Sequence, residues 1–247
     1  MKRLLSVLVL VALVASPAAA LAQTEEPTEW ETFTTEDGLL SVSVPPEWLA
    51  EEGGEDIPFP GVVVVNSEDT LAAWNDPESA GPEAGQVALL TVVIPRDFFG
   101  VLGFPLPEGA SIVDLTNLLG GFFSGLDGEA PVEDGAEGDM AATEEAMAVP
   151  MLGEAEEIEL GDDIIGGYVS YQDATGQGAY LVRDMDEGLL GVIIALAAPD
   201  EFTEEYADLA AQVLGSLTYT GTADDIMNAF MAPPEADVEE GEATLSG

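Results

Sequence analysis

The chain has 247 residues, of which 49 are Asp or Glu and only 4 are Lys or Arg, and it contains no His and no Cys. The formal net charge of −45 argues against nucleic-acid binding by the usual electrostatic route. The missing residue types exclude Ser-His and thiol catalysis, ordinary zinc or copper sites, and disulfides. With 47% hydrophobic residues, the composition is that of a packed globular protein.

The N-terminus has the pattern of an export signal. Lys2 and Arg3 supply the positive region, residues 4–15 the apolar core, and the Ala-Leu-Ala run at 20–22 the small-residue site that places cleavage before Gln23. Removal of both basic residues would leave a mature charge of −47, from two basic and 49 acidic residues. The sequence therefore predicts an exported protein, located in the periplasm, at the cell surface or outside the cell.

An uncleaved membrane anchor is the alternative interpretation of this segment. Residues 4–22 approach the roughly 20 apolar residues that span a bilayer. Pro17 and the Ala-rich end of the segment favour cleavage instead. We therefore expect a signal peptide at 1–22 and no stable membrane insertion after its removal.

The mature chain begins with strand signals. Predicted strands at 31–35 and 39–44 flank an Asp-Gly pair at 37–38, which favours a tight two-residue hairpin turn. The second strand alternates apolar residues with serine, as expected of a half-buried strand. The Pro pair at 45–46 ends this strand, and Trp48 is expected to fold back onto the sheet.

Further strands follow in two groups. Two β-branched runs are typical of central strands, and the next four segments, separated by Gly and Asp turns, predict an antiparallel meander. The predicted strands lie at 61–66, 86–94, 154–160, 164–172, 178–183 and 189–197, with a short closing strand at 217–220.

Two amphipathic helices are predicted to lie on the sheet. Ser111 caps the first, and Glu204 and Glu205 occupy the first turn of the second, which begins near Thr203. The apolar stripe of the first comprises Ile112, Leu115, Leu119, Phe122 and Leu126, and that of the second comprises Tyr206, Leu209, Val213 and Leu217.

The domain prediction is a single domain at 23–220 with two acidic segments outside its regular structure. Residues 127–153 are rich in acids, Gly, Ala and Pro, without apolar periodicity, and predict a disordered insertion. Residues 221–247 predict an acidic, mostly disordered tail, with one or two helical turns at 224–231.

Two motifs carry a resemblance to a known family. The run DGLLSVSVPPEW at 37–48 and the run VLGSL at 213–217, after an amphipathic helix, resemble the opening and the close of the PsbP-like family. The resemblance implies an α+β fold, with an antiparallel sheet flanked by helices in an α/β/α sandwich. It also implies an accessory or binding protein rather than an enzyme. No catalytic set carries over, and the basic contact surfaces of some members have no counterpart here.

The best candidate for metal chemistry is a turn near the end of the meander. Asp184, Asp186 and Glu187 precede Gly188, and the neighbouring turn at 162–163 adds two more acids. Calcium prefers clustered carboxylate and carbonyl oxygens, but this spacing does not fit the EF-hand pattern. Solvated turn acids are the simpler interpretation, and no other cofactor is expected.

The predicted function is an exported, non-enzymatic binding or assembly accessory. The alternatives are a carrier of a small apolar or lipid ligand, held between the sheet and the helix around 112–126, and a calcium-dependent binding module. A filled core with an exposed apolar patch would favour the accessory, and a concave apolar cavity would favour the carrier.

Two further features leave alternatives open. Trp30, Trp48 and Trp74 are candidates to line a ligand pocket, although Trp48 is better explained as core. The acidity suits either a high-salt environment or a cationic partner. Its even spread along the chain favours adaptation to salt.

Overall fold

The structure is a computed structural model that describes residues 29–54, 57–79, 81–107, 109–126, 151–161, 163–173 and 176–231. The predicted signal peptide at 1–22 lies outside the described residues, as do 127–150 of the predicted insertion and 232–247 of the predicted tail. All regular elements belong to one compact unit that begins at Glu31. Among the described residues, no helix has the length and apolarity needed to cross a bilayer.

Eleven strands and five α-helices make up the described part of the unit. The strands are β1 Glu31–Thr34, β2 Leu40–Val44, β3 Leu49–Glu52, β4 Gly61–Val65, β5 Val87–Pro95, β6 Met151–Leu152, β7 Glu156–Glu159, β8 Ile165–Gln172, β9 Gln177–Met185, β10 Leu189–Ala197 and β11 Thr218–Tyr219. The helices are α1 Glu68–Trp74, α2 Arg96–Val101, α3 Ile112–Leu126, α4 Glu204–Ser216 and α5 Ala223–Met231.

The larger sheet is antiparallel, in the order β3-β4-β5-β10-β9-β8-β6, with β7 also paired to β8. Its centre is the long pair β5 and β10, whose register runs from Val87 opposite Ala197 to Pro95 opposite Leu189. The run β8-β9-β10 is the predicted meander. The α+β class, with an antiparallel sheet and packed helices, is therefore confirmed.

Helices cover both faces of this sheet. Because side chains alternate along a strand, Tyr180 and Val182 of β9 point to one face and Arg183 to the other. α3 packs on the first face, where Gly120 approaches Val169 and Tyr180. α4 packs on the second face, where the Arg183 side chain reaches the end of that helix. The core on the α3 side comprises Val92, Ile94, Phe98, Phe99, Leu115, Leu119, Val182, Leu190 and Val192.

A second, three-stranded sheet in the order β1-β2-β11 extends the layer formed by α4. The alternating residues Leu40, Val42 and Val44 of β2 are buried, as their pattern predicts. β11 pairs with β2 rather than with the larger sheet. The first and last strands thus form a sheet of their own, an arrangement that the sequence pattern did not predict.

The hairpin between β1 and β2 is wider than predicted. The Thr35 amide donates to the Leu40 carbonyl (3.0 Å), so residues 36–39 form a four-residue loop. Asp37 Oδ1 accepts from the Thr35 hydroxyl (2.7 Å) and from the Leu39 amide (2.9 Å). These local bonds fix the loop, in which Gly38 takes a φ of +73°.

Several elements were not predicted. β3 has little strand propensity, and α1 and α2 are too short for a clear helical period. The end of the predicted 127–153 insertion contains β6, which pairs with β8. In α4, Leu209 is only half-buried, and the most buried positions are Ala210, Val213 and Leu214.

Candidate functional site

The interface between α3 and the larger sheet, where a ligand was predicted as one alternative, is filled by side chains. Leu115 and Leu119 of α3 are fully buried against the sheet. Gly167 of β8 lies so close to α3 that a Cβ there would be 3.0 Å from the Ile112 carbonyl oxygen and would overlap Thr116 Oγ1. The close approach leaves no room for a ligand at this point of the interface.

Aromatic rings fill the rest of the same interface. Ring contacts run without interruption from the α2 side of the sheet to the β8 side, with centroid distances between 4.8 and 5.8 Å. Such pairs bury large areas and fix one another's orientation. The rings in contact are, in order, Phe99, Phe122, Phe123, Tyr180 and Tyr171.

An arginine from α2 pairs with the first acid of the predicted calcium turn. Asp184, near the end of β9, accepts a hydrogen bond from the Arg96 guanidinium at 2.7 Å. Asp186 and Glu187 lie in the following turn, where Glu187 has a φ of +62°. Within the described residues, no group of three or more acids is placed to hold a metal ion. The structure does not bring Asp184, Asp186 and Glu187 together as ligands, and calcium binding here stays a prediction.

A second arginine lies beside the same turn. The Arg183 guanidinium donates to the carbonyl oxygens of Leu214 (3.0 Å) and Gly215 (2.9 Å) at the C-terminal end of α4. Burial lowers the pKa of Arg183, and the nearby Asp186 carboxylate partly offsets that effect. Because this cation satisfies helix-end carbonyls and complements the helix dipole, its role is structural.

An exposed apolar segment follows α2. We call residues 101–107, of sequence VLGFPLP, the 101–107 patch. Val101 is 60% exposed and Phe104 is 59% exposed, with Leu102 also on the surface. Sequence reasoning missed this patch, because longer uncharged runs recur at 188–199 and 209–223, where most apolar side chains are buried, and the sequence carries no signal that separates the exposed run from them.

The backbone holds the 101–107 patch in a fixed position. The Phe104 amide donates to the Phe99 carbonyl (2.8 Å), and the Gly103 amide donates to the Gly100 carbonyl (3.1 Å). With Gly103 at a φ of +85°, this is the Schellman arrangement that ends a helix. The Phe104 ring also contacts Phe122 of α3, at a centroid distance of 6.3 Å.

A shallow depression of about 460 Å³ adjoins the 101–107 patch. It is lined by Val101, Leu106 and two prolines, together with Arg96 and Asp97. The depression is thus a concave surface lined mainly by apolar side chains, with one basic and one acidic side chain among them. This geometry suits contact with a protruding apolar group of another molecule.

Trp48 and Trp74, two of the three predicted pocket candidates, have different surroundings. Trp48 is half-buried, and its ring lies 6.4 Å from that of Tyr206 on α4. Trp74, at the end of α1, packs against the core formed by Val63, Val65 and Ala88 and also lines a cavity of about 180 Å³. Trp74 is therefore a predicted pocket candidate that the structure places in a cavity wall.

Comparison with known proteins gives structural likenesses only. No protein-family profile matches the chain, and no curated protein is significantly similar to it. The chain is similar to the solution structure of cyanobacterial PsbP (CyanoP) from Synechocystis sp. PCC 6803, with 12% identity, 84% of this chain and 99% of that chain covered, and a TM-score of 0.43. It is also similar to a mutant of the protein Mog1, with 10% identity, 76% and 87% covered, and a TM-score of 0.39. These likenesses concern the fold alone, and membership of the PsbP-like family stays a prediction.

Proposed function

We propose that this protein is an exported, non-enzymatic binding or assembly accessory that docks on a protein partner through the 101–107 patch. The observation that carries the proposal is the exposure of Val101 and Phe104 on a backbone fixed by helix-end hydrogen bonds. An exposed apolar surface costs solubility, and such surfaces commonly mark interaction sites. A preformed surface also loses less conformational entropy on binding than a mobile one does.

The charge of the chain defines the chemistry of the partner. With 49 acids against 4 basic residues, the protein repels other acidic surfaces and attracts basic ones. We therefore expect an apolar acceptor surface surrounded by Lys or Arg on the partner. At low salt, electrostatic attraction would accelerate association. At the high salt that the acidic composition suits, screening would remove most of this attraction, and the apolar contact would supply the affinity.

The filled interface beneath α3 supports the accessory over the carrier. Leu115, Leu119 and the aromatic rings occupy the volume in which a ligand was expected. The acidic composition is part of the same proposal, since it suits a protein that works at high salt, where screening is strong.

Site-specific photo-crosslinking in native cells tests the proposal. A crosslinking residue replacing Leu102 should capture one defined protein, whereas the same residue replacing Asp208, on the exposed side of α4, should not. The partner, once purified, should bind the native chain more tightly than the double variant Val101→Ser, Phe104→Ser by at least about tenfold.

The stability of the double variant and its affinity for the purified partner decide the outcome of this test. The unfolding midpoint of the double variant should stay near that of the native chain, since both side chains are more than half exposed. The proposal fails if the purified partner binds the double variant as tightly as the native chain. It also fails if positions 102 and 208 capture the same proteins to the same extent.

A further inference from the structure

A small cavity lies at the end of the larger sheet where β5 begins and β10 ends. Its walls come from α1, from the loop that joins α1 to β5, and from the facing pair Ala88 and Leu196. The cavity has a volume of about 180 Å³. This is below the roughly 300 Å³ at which sites for drug-sized ligands begin, so it suits a compact chemical group.

The walls are apolar over most of their surface, with one aromatic ring, one carboxylate and three further polar side chains, those of Thr70, Ser79 and Gln86. Ala73, Pro82, Ala88 and Leu196 provide aliphatic surface, and the Trp74 indole and the Asp76 side chain complete the wall on the α1 side. Trp74 is anchored by packing against the core at the start of β5.

Hydrogen bonds hold the loop in place. Asp76 Oδ1 accepts from the Glu78 amide (2.9 Å), and the Asn66 side chain donates to the Gly85 carbonyl (2.7 Å). Near the end of the loop, the Glu83 amide donates to Gln86 Oε1 (2.8 Å). These hydrogen bonds hold the wall residues Asp76 and Gln86, at the two ends of the loop, in place before a ligand binds.

The electrostatic environment of the cavity is strongly negative. Glu51 accepts a hydrogen bond from Asn75 at one end of the loop, and Glu201 accepts one from the Gly85 amide at the other. The loop itself, residues 75–86, adds three acids and no basic residue.

The two arginines of the described chain lie far from the cavity. Arg96 and Arg183 sit near the opposite ends of β5 and β10, where Pro95 faces Leu189. Seven residues of extended strand, at about 3.3 Å each, separate that end from the cavity. This distance exceeds the screening length of roughly 8 Å at physiological salt, so the arginines do not neutralise the cavity.

We propose that this cavity binds the head group of a small organic cation of the quaternary ammonium class. Three polar side chains of the wall are already engaged within the protein: Thr70 Oγ1 is hydrogen-bonded to Asn66 and Ser67, the Ser79 hydroxyl donates to the Gly81 carbonyl (3.5 Å), and Gln86 Oε1 accepts from the Glu83 amide. A primary ammonium would therefore find few free acceptors for its three N–H groups, whereas a methylated ammonium needs only contact surface and negative potential. The aromatic ring of Trp74 and the Asp76 carboxylate together supply that potential. Neither the fold likenesses nor the proposed docking of the 101–107 patch assigns this site.

Choline chloride is a suitable probe, and 3,3-dimethylbutan-1-ol is its neutral isostere. The indole N–H signal of Trp74, assigned by its absence in Trp74→Phe, should shift and saturate as choline is added at constant ionic strength. The neutral alcohol should bind about tenfold more weakly, because it lacks the attraction of the charge to the ring and the carboxylate.

Variants separate a specific site from general attraction to an acidic protein. Asp76→Asn preserves the oxygen that accepts from Glu78 and should weaken choline binding at least about threefold. Asp208→Asn removes the same charge from α4 and should leave the affinity unchanged. Equal binding of choline and the alcohol, equal effects of the two variants, or no saturation by about 100 mM choline would each overturn the proposal.

Discussion

At the scale of single residues, the two arginines of the described chain contribute differently to the stability of the folded state. Arg96 pairs with Asp184 at the surface, where solvent and salt weaken an ion pair. Arg183 is half-buried and donates to two carbonyl oxygens that end α4. The second arrangement satisfies buried backbone acceptors and is therefore worth more to the folded state.

We predict that Arg183→Met lowers the free energy of unfolding by about 2 kcal/mol, since charge-assisted hydrogen bonds to buried acceptors are lost. Arg96→Met is the matched control, because it removes the same charge and keeps a similar volume. Its cost should stay below about 1 kcal/mol. Urea unfolding of both variants compares them directly, and equal losses would contradict the helix-end role of Arg183.

Thr91 is a polar residue in an apolar position. Its side chain is fully buried between Val62 of β4 and Ile193 of β10, and within the described residues its hydroxyl has no hydrogen-bond partner. An unpaired buried hydroxyl costs free energy that an isosteric methyl group does not.

Thr91→Val should therefore raise the free energy of unfolding by about 1 kcal/mol. Thr116→Val provides the contrast, because the Thr116 hydroxyl donates to the Ile112 carbonyl at 2.7 Å. That variant should lose stability instead. Thermal or urea unfolding gives the sign of each change, and destabilisation by Thr91→Val would mean that its hydroxyl has a partner in solution.

At the scale of elements, two helices begin with the same capping box. The Asp114 amide donates to the Ser111 hydroxyl, and Asp114 Oδ2 in turn accepts from the Ser111 amide and hydroxyl at the start of α3. Thr222 and Asp225 repeat these bonds at the start of α5. The reciprocal bonds satisfy amides that the first helical turn leaves open.

The capping box at the start of α3 should contribute a stability that depends on pH. The Ser111 hydroxyl, and then its amide, hold the pKa of Asp114 below its usual value. A depressed folded-state pKa gives stability that is present above the unfolded pKa of about 3.9 and is lost as pH falls through the folded pKa. Asp114→Asn should therefore be less stable than the native chain at pH 7, and the difference should vanish as pH falls below the lowered folded-state pKa of Asp114.

Asp97→Asn is the control for this prediction. Asp97 also lies in the first turn of a helix, but its side chain has no hydrogen bond among the described residues. The change in stability of Asp97→Asn measures the relief of repulsion between acids, an effect that both variants share. A constant difference between the two variants across the pH range would contradict the capping argument.

The elements differ in how far the sequence could predict them. β10 is observed at its predicted bounds, because a run of nine mostly apolar residues between turns permits few other structures. β3, with the sequence LAEE, becomes a strand only because β4 offers it a pairing edge. The start of α1, by contrast, could have been predicted from the sequence. Ser67 followed by two acids is the usual signal for the beginning of a helix.

The candidate sites were less predictable than the elements. The acids at 184–187 were visible, but Arg96 reaches Asp184 only through the register of three strands. The Trp74 cavity likewise depends on the meeting of α1 with the end of β10. Contacts between residues so far apart in the sequence produce no local pattern, so they could not be predicted from it.

At the scale of the whole molecule, charge dominates. A formal charge of −45 favours states in which the acids are farther apart, so repulsion should weaken the native state most at low salt. Raising NaCl from 10 to 150 mM shortens the screening length from about 30 to about 8 Å. We therefore expect the thermal unfolding midpoint to rise steadily across this range, and a salt-independent midpoint would contradict the repulsion argument.

Calcium titration at matched ionic strength separates screening from a specific site. Diffuse screening should show no saturation at micromolar calcium, whereas a bound ion would stabilise in proportion to ln(1 + [L]/Kd). Asp184→Asn and Asp186→Asn are the deciding variants. A micromolar response that these variants abolish would establish the calcium module that was an alternative prediction.

The small sheet joins strands from near the two ends of the described chain, since β11 pairs with β2 through Thr218 opposite Ser41 and Tyr219 opposite Leu40. A ribosome releases β1 and β2 first and β11 among the last described strands. Until β11 arrives, the hydrogen-bonding edge of β2 that it will cover has no strand beside it. The hairpin that starts the unit must therefore wait for nearly the whole chain before its sheet closes, which makes the nascent protein most open to wrong pairings at its beginning.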